Sequence, residues 1–245
     1  MTSRVRVLSW NLFHGRSVPP AGRCLLDRFA GLIAAWEWEV ALLQEVPPWW
    51  PAPLARRAQA QQQRALTSRN SLLWLRRILA VRGPDLMKSN GGGSNAVLAR
   101  VPIVEHRALR LRAWPERRVA QLVRLADGTC VANHHGSARV PLAAQELDSL
   151  WRDALAFAAG APLILGGDLN LRSPAAALDA GAVHVARRDV DHLFACGLEP
   201  VGDQRLLDAR VRLGDRELTL SDHPPLWVEL AAPEPPHGRE PEAAS

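Results

Sequence analysis

Apolar and polar residues alternate through Val5–Trp10, the period of a strand with one buried face. From Cys24 to Trp36 the spacing changes. Leu25, Leu26, Phe29, Leu32, Ile33 and Trp36 recur at helical intervals, which predicts a helix with one apolar stripe. The run "VALLQE" (Val40–Glu45) predicts a short buried strand ending on a carboxylate. Pro47–Pro53 is expected to be a loop, Leu54–Leu66 a polar helix and Ser89–Ser94 a glycine-rich turn. Strands are then predicted from Asn95, over Ile103–Leu111, Arg118–Leu125 and Thr129–His134, with "ADG" as a hairpin turn between the last two. Leu142–Ala159 has the pattern of an amphipathic helix and Leu163–Gly166 that of a buried strand. "SPAAALDAG" predicts a short helix closed by Gly181, and further strands are expected near Val190–Phe194, Gln204–Leu213 and Leu226–Leu230.

Strands and helices alternate early, and hairpins dominate the middle. That mixture predicts an α/β sandwich rather than a doubly wound parallel sheet. No linker divides the chain, so residues 1–231 are expected to form a single domain. Ala232–Ser245 is rich in proline and glutamate and is expected to be a disordered tail.

Several apolar runs stop at a polar residue able to hold a metal or a phosphate. Asn11 follows "VLSW", Glu45 follows "VALLQ", and His134 and His135 follow "CVAN". Asp168 and Asn170 follow "LILGG", and Asp222–His223 precede "PPLWVEL". Each alone also suits a turn or a solvated strand end. Asp168 and Asn170 point further, because residues i and i+2 of an extended chain face one side. Together the set offers hard oxygen ligands for Mg²⁺ or Mn²⁺ and a histidine–carboxylate pair for proton transfer. Arginine adds neutralisation of phosphate charge, which completes the requirements of phosphoester hydrolysis.

Composition adds a partner class. The chain has 245 residues and a net charge of +5. Lys88 is its single lysine, so the positive charge is arginine, which grips phosphate through a bidentate fork. Cys24, Cys130 and Cys196 form no CxxC pair, which argues against a disulfide framework and fits a reducing, cytoplasmic setting. No signal-like or membrane-spanning run is visible.

The same residues in the same order resemble the endonuclease/exonuclease/phosphatase superfamily with its deoxyribonuclease I-like fold. The matching stretches are "VLSWNLFHG", "VALLQEV", "NAVLARVPI", "ERRVAQLVRL", "VANHHGS", "GGDLNLRSP", "DVDHLFACGL" and "LSDHPPLWVEL", between Val5 and Leu230. The resemblance implies a four-layer α-β-β-α sandwich, two facing mixed β-sheets with helices outside, and divalent-metal-dependent phosphoesterase activity. It implies that Asn11 and Glu45 hold Mg²⁺ or Mn²⁺, with Asp222 as a metal-contacting or histidine-neighbouring carboxylate. Asp168 is then expected to orient or deprotonate water and Asn170 to contact the scissile phosphate. His223 is expected to be the histidine paired with a carboxylate, Asp191 to support a catalytic histidine, and His135 to hydrogen-bond a phosphate oxygen, with His134 competing for that role. Arg118 matches a phosphate-contacting arginine, although Arg117 adjoins it, and Asn95 a structural or substrate-positioning asparagine. The family's usual Thr-His-Leu is His134-His135-Gly136 here. The chain has no tyrosine, so an active-site tyrosine has no counterpart, and Pro47–Gly93 matches no subfamily.

A nuclease is the leading expectation, with DNA or RNA as substrate. Arg56, Arg57, Arg64, Arg76, Arg77, Arg117 and Arg118 are then expected to follow a phosphate backbone, and Trp49 and Trp50 to stack on bases. The alternative is a phosphatase or phosphodiesterase acting on a small phosphorylated metabolite or a phospholipid headgroup. The intact set of chemical residues argues against a binding protein without catalysis. A monomer is expected.

Overall fold

In the first strand, β1 (Arg4–Asn11), Val5, Val7, Ser9 and Asn11 share one face, and Arg6, Leu8 and Trp10 the other. A computed structural model describes residues 4–68, 70–85, 93–174, 178 and 181–233, and shows both faces covered. After β1 come a 3-10 turn (Phe13–Gly15), β2 (Ser17–Val18), α1 (Leu26–Ala35), β3 (Val40–Val46), α2 (Pro51–Ala58), β4 (Gln61–Leu66), α3 (Leu73–Arg82) and β5 (Ser94–Ala99). β6 (Ile103–Arg112), β7 (Arg118–Leu125), β8 (Cys130–Asn133), α4 (Val140–Ala158) and β9 (Leu163–Asp168) follow. The chain continues through β10 (Val183–Arg188), β11 (Asp191–Cys196), β12 (Glu199–Pro200), β13 (Arg205–Leu206), β14 (Arg210–Leu213), β15 (Arg216–Leu220) and β16 (Leu226–Ala231).

One seven-stranded sheet has the order β12-β16-β1-β3-β5-β4, with β13 also on β16. A six-stranded sheet has the order β10-β11-β9-β8-β7-β6, and β14-β15-β2 form a small third sheet. The two large sheets are mixed. Each contains one parallel pair, β1 with β3 and β8 with β9, bridged by a crossover that carries a helix. Three apolar layers result. Val7, Leu42, Val97, Val123, Ile164 and Val228 fill the space between the sheets. Phe29, Ile33 and Leu54 of α1 and α2 cover the first sheet, and Leu147, Leu150 and Trp151 of α4 cover the second. Each such side chain contributes about 1.5–3 kcal/mol of gross burial energy. This is the expected four-layer sandwich.

Toward one end of the inter-sheet layer the apolar side chains give way to amides. Gln44 Nε2 donates to Asn133 Oδ1 at 2.9 Å, and Asn133 Nδ2 donates to the carbonyls of Leu43 and Ala96. Gln121 Nε2 donates to the Gln63 carbonyl. These buried amides continue the period-two pattern, and their NH2 groups are met by hydrogen bonds. Beyond them the strands deliver the candidate site.

Several expectations are corrected. Leu54–Leu66 is not one helix: α2 ends where Gln59 takes a left-handed φ of 53°, and Gln61–Leu66 pairs with β5 as an edge strand. Pro51–Pro53 belong to that helix rather than to a loop, since proline is tolerated in a first turn. Gln204–Leu213 is two short strands, β13 and β14, and β10, β15 and α3 have no counterpart among the predicted elements. Residues 89–92 of the Ser89–Ser94 turn, much of the "SPAAALDAG" helix and the tail from residue 234 lie outside the described residues, and Ser94 begins β5.

Candidate active site

The amide layer opens into a cleft of about 310 Å³, lined among others by Asn11, His14, Glu45, Arg118, His135, Asp168, Asn170, Asp222 and His223. Asn11 and Asp168 end β1 and β9, one from each sheet, and meet: Asn11 Nδ2 donates to Asp168 Oδ2 at 2.8 Å. The backbone must come close for this. A Cβ on Gly167, at φ +134°, would lie 2.0 Å from the His134 carbonyl oxygen and 2.9 Å from Gln44 Nε2. Asn170 does not reach the cleft as an extended i+2 neighbour. The strand ends at Asp168, whose Oδ1 accepts the Asn170 amide at 3.1 Å, and Asn170 turns back at φ 53°. Its Nδ2 donates to the Gly136 carbonyl at 3.0 Å.

Asp168 Oδ2 is the hub of the site. His135 Nε2 lies 3.5 Å from it and His223 Nε2 3.9 Å. The other ring nitrogen of His223, Nδ1, is 2.8 Å from Asp191 Oδ2. Burial opposes charge on His223, but the Asp191 hydrogen bond and the charges of Asp191, Asp168 and Asp222 outweigh it and push the imidazole up to about 9. Burial likewise raises the Asp191 carboxyl, against the pull of His223. Burial, then the positive charge of Arg118, holds His135 well below the ordinary imidazole range, so it stays neutral. The cleft thus pairs a protonated imidazole with a neutral one beside a single carboxylate oxygen.

Glu45 sits at the mouth of β3, at φ 49°, with its Oε1 3.9 Å from His135 Nε2. Burial, then the charges of Asp168 and Asp222, push its carboxyl up to about 7. Mutually repelling carboxylates beside an amide form an oxygen-rich donor set of the kind a hard divalent cation compensates. Asp168, Asp191 and His223 also offer donor atoms within 4.8 Å of one another. Two of those groups are spent on each other, since the His223–Asp191 bond measures 2.8 Å, which suits proton handling better than a cage. Asp222 stands at the rim with its side chain 45% exposed, 4.0 Å from His223 Nε2.

Arg118, not Arg117, lines the cleft, and its charge is tempered by Glu116 Oε2 at 2.5 Å. Asn95 and His134 stay outside. Asn95 is buried below, donating to the Val119 carbonyl at 3.0 Å. His134 precedes His135 and faces the other way, toward Glu146 of α4 at 3.6 Å, because consecutive extended residues alternate sides. Trp50 is buried against Phe29 beneath the Phe13–Gly15 turn, where a Cβ on Gly15 would lie 2.3 Å from its ring. It is core packing, not a stacking platform. The expected arginine track is also divided: Arg56 and Arg57 close α2, next to Ala58, whose carbonyl accepts from Arg100 at the far end of the sheets.

His14 is a cleft residue that the sequence pattern did not flag. His14 Nε2 lies 3.1 Å from Glu45 Oε2. The signal was a histidine before a glycine just past the first strand end. Thr67, Ser68 and Glu116 also line the cleft, and no local pattern marks them.

Residues 8–223 match the sequence profile described as the Endonuclease/Exonuclease/phosphatase family. No curated protein matches the sequence. Among solved structures, an endonuclease/exonuclease/phosphatase family protein from Bacteroides thetaiotaomicron is similar at 16% identity and a TM-score of 0.72, covering 98% of this chain and 99% of that one. An endonuclease/exonuclease/phosphatase from Beutenbergia cavernae is similar at 20% identity and a TM-score of 0.64, covering 94% and 72%. Truncated TDP2 from Caenorhabditis elegans is similar at 18% identity and a TM-score of 0.65, covering 94% and 98%. At these identities the structures speak for the fold alone.

Proposed function

The chain belongs to the endonuclease/exonuclease/phosphatase family, and from that membership we propose that it hydrolyses phosphodiester bonds by in-line attack of water in the cleft around Asp168. The observation that carries this reading is the convergence of Asn11, His135 and His223 on one oxygen, Asp168 Oδ2. That oxygen orients the attacking water and takes its proton as the water oxygen bonds to phosphorus, while the opposite P–O bond breaks and its oxygen leaves and takes up a proton from solvent. Asn11 and its hydrogen bond hold the carboxylate in place. His223, kept protonated by Asp191, brings positive charge to the pentacovalent phosphate. Neutral His135 donates a ring N–H to a phosphate oxygen, and Arg118 adds partly compensated charge. Asn170 contacts the phosphate through its amide. Glu45 and Asn11, with Asp222 at the rim, would hold Mg²⁺ or Mn²⁺, which supplies Lewis acidity to the phosphate and leaving oxygens.

A nucleic-acid substrate draws support from Arg118 in the cleft and Arg117 in the adjoining hollow. A second reading, a phosphodiester in a small metabolite or a phospholipid headgroup, is favoured by the divided arginines and the burial of Trp50. A Mg²⁺-supplemented screen over plasmid DNA, single strands, RNA, phosphoinositides and sphingomyelin, with Asp168→Ala as control, tests both. Turnover that requires metal and Asp168 is expected on at least one class. Turnover by Asp168→Ala equal to wild type would overturn the reading.

A further inference from the structure

Among the described residues, eleven large apolar side chains are exposed, and five of them lie between residues 72 and 81. They are Leu72, Trp74, Leu75, Ile78 and Val81, on or just before α3. The other helices turn an apolar stripe inward. α1 buries Phe29 and Ile33, α2 buries Leu54, and α4 buries Leu147, Leu150 and Trp151, whereas α3 buries none of its residues. Its outward stripe is Trp74, Leu75, Ile78 and Val81, at i, i+1, i+4 and i+7, with Trp74 66% exposed. Leaving such a stripe in water forgoes its burial energy, so its orientation calls for a partner.

The charges beside the stripe identify the partner. Arg77 and Arg82 flank it, Arg76 lies across the helix, and Leu72–Gly83 contains no acidic residue. The nearest acid, Asp85, is held by the Gly22 amide at 2.7 Å and lies 3.5 Å from Arg16 Nε. A tryptophan and aliphatic residues that project outward between arginines suit a headgroup layer: the apolar tips enter the acyl boundary and the guanidiniums meet lipid phosphates. A second exposed tip adjoins it. Trp114 is 82% exposed and precedes Pro115, and Pro115–Arg117 line one hollow with Thr67, Ser68, Asn70 and Ser71, just before α3. Ser68 Oγ donates to the Arg117 carbonyl at 3.1 Å and joins the two segments.

We propose that α3 and the Trp114 loop form a docking surface for an anionic phospholipid bilayer. No helix among the described residues is long and apolar enough to cross a membrane, so the contact is peripheral. Thr67, Ser68 and Glu116 belong both to this rim and to the cleft, so docking sets the cleft mouth against the bilayer. The inference does not depend on the reaction proposed above, and its test reads binding without turnover.

The test is cosedimentation of the full chain with vesicles of phosphatidylcholine alone or with phosphatidylglycerol added. Wild type is expected to bind the anionic vesicles at least about tenfold more than the neutral ones, with a blue shift of tryptophan emission and weakening by salt. The double variant Trp74→Ala/Ile78→Ala and the double variant Arg77→Glu/Arg82→Glu are each expected to lose binding about tenfold while keeping the wild-type circular dichroism. Wild type left in the supernatant with anionic vesicles would overturn the proposal, as would stripe variants that pellet like wild type. A concentration-dependent dimer in light scattering, dispersed by Trp74→Glu and accompanied by no vesicle binding, would assign the stripe to a second copy instead.

Discussion

Two clusters of acids and histidines flank the ends of β8 and β9, and they differ in how their charges are met. Behind the second sheet, Glu146 of α4 receives Arg112 Nε at 2.7 Å, the Ser137 amide at 2.9 Å and Ser137 Oγ at 2.6 Å. Burial opposes its charge, yet His134 at 3.6 Å and hydrogen bonds from Ser137 and Arg112 hold its carboxyl down at about 2. In the cleft, Glu45 is pushed up to about 7 and His223 up to about 9. Residue types are shared, but Glu146 is met by three close donors, whereas Glu45, Asp168 and His223 line an open cleft. Saturation marks a structural anchor. Groups pushed out of their ordinary titration ranges at converging strand ends suit chemistry, since proton transfer needs groups held away from their resting states.

Substitutions in each cluster can break that contrast. Asp168→Asn is expected to lower kcat by at least about a thousandfold, roughly 4 kcal/mol of transition-state stabilisation, with the melting temperature held. A rate within tenfold of wild type would place the chemistry elsewhere. His135→Gln is expected to cost about a hundredfold in kcat, and His134→Gln less than about twofold, although the two are chain neighbours. Equal losses would mean that the two faces are not functionally distinct. Glu146→Gln should act on stability instead, costing about 2–3 kcal/mol in denaturant unfolding with kcat nearly unchanged. Its pH dependence sharpens the assignment. The Glu146 carboxyl is lower in the folded chain than its ordinary value of 4.5, so its contribution is present above that value and is lost as pH falls toward about 2. Acid unfolding of Glu146→Gln should therefore be shallower than that of wild type between those limits. Parallel curves would remove Glu146 from the account.

Much of this was legible in the chain. Val5–Asn11 and Leu163–Asp168 end on the polar residues their patterns flagged, because a period of two assigns each side chain a face and the strand end assigns it a height. Family resemblance then tied those ends to one edge. What was hidden depends on tertiary context. "QQQRAL" has no apolar alternation, and only pairing with β5 makes it a strand. α3 lacks the inward stripe by which a surface helix is recognised. Whether His134 or His135 enters the cleft turns on a one-residue choice of face that the doubled histidine leaves open. The arginines form a positive set in composition, and only the fold separates Arg118 in the cleft from Arg56 and Arg57 at the opposite end.

The central claim is that metal-dependent phosphodiester hydrolysis runs through Asp168. It is tested most directly by the initial rate of hydrolysis of bis(p-nitrophenyl) phosphate by wild type and Asp168→Asn, each with Mg²⁺ and with EDTA. Wild type should turn over with Mg²⁺, stop in EDTA and recover with excess Mg²⁺, and the variant should be at least about a thousandfold slower throughout. Undiminished turnover in EDTA, or equal rates for the two proteins, would contradict it.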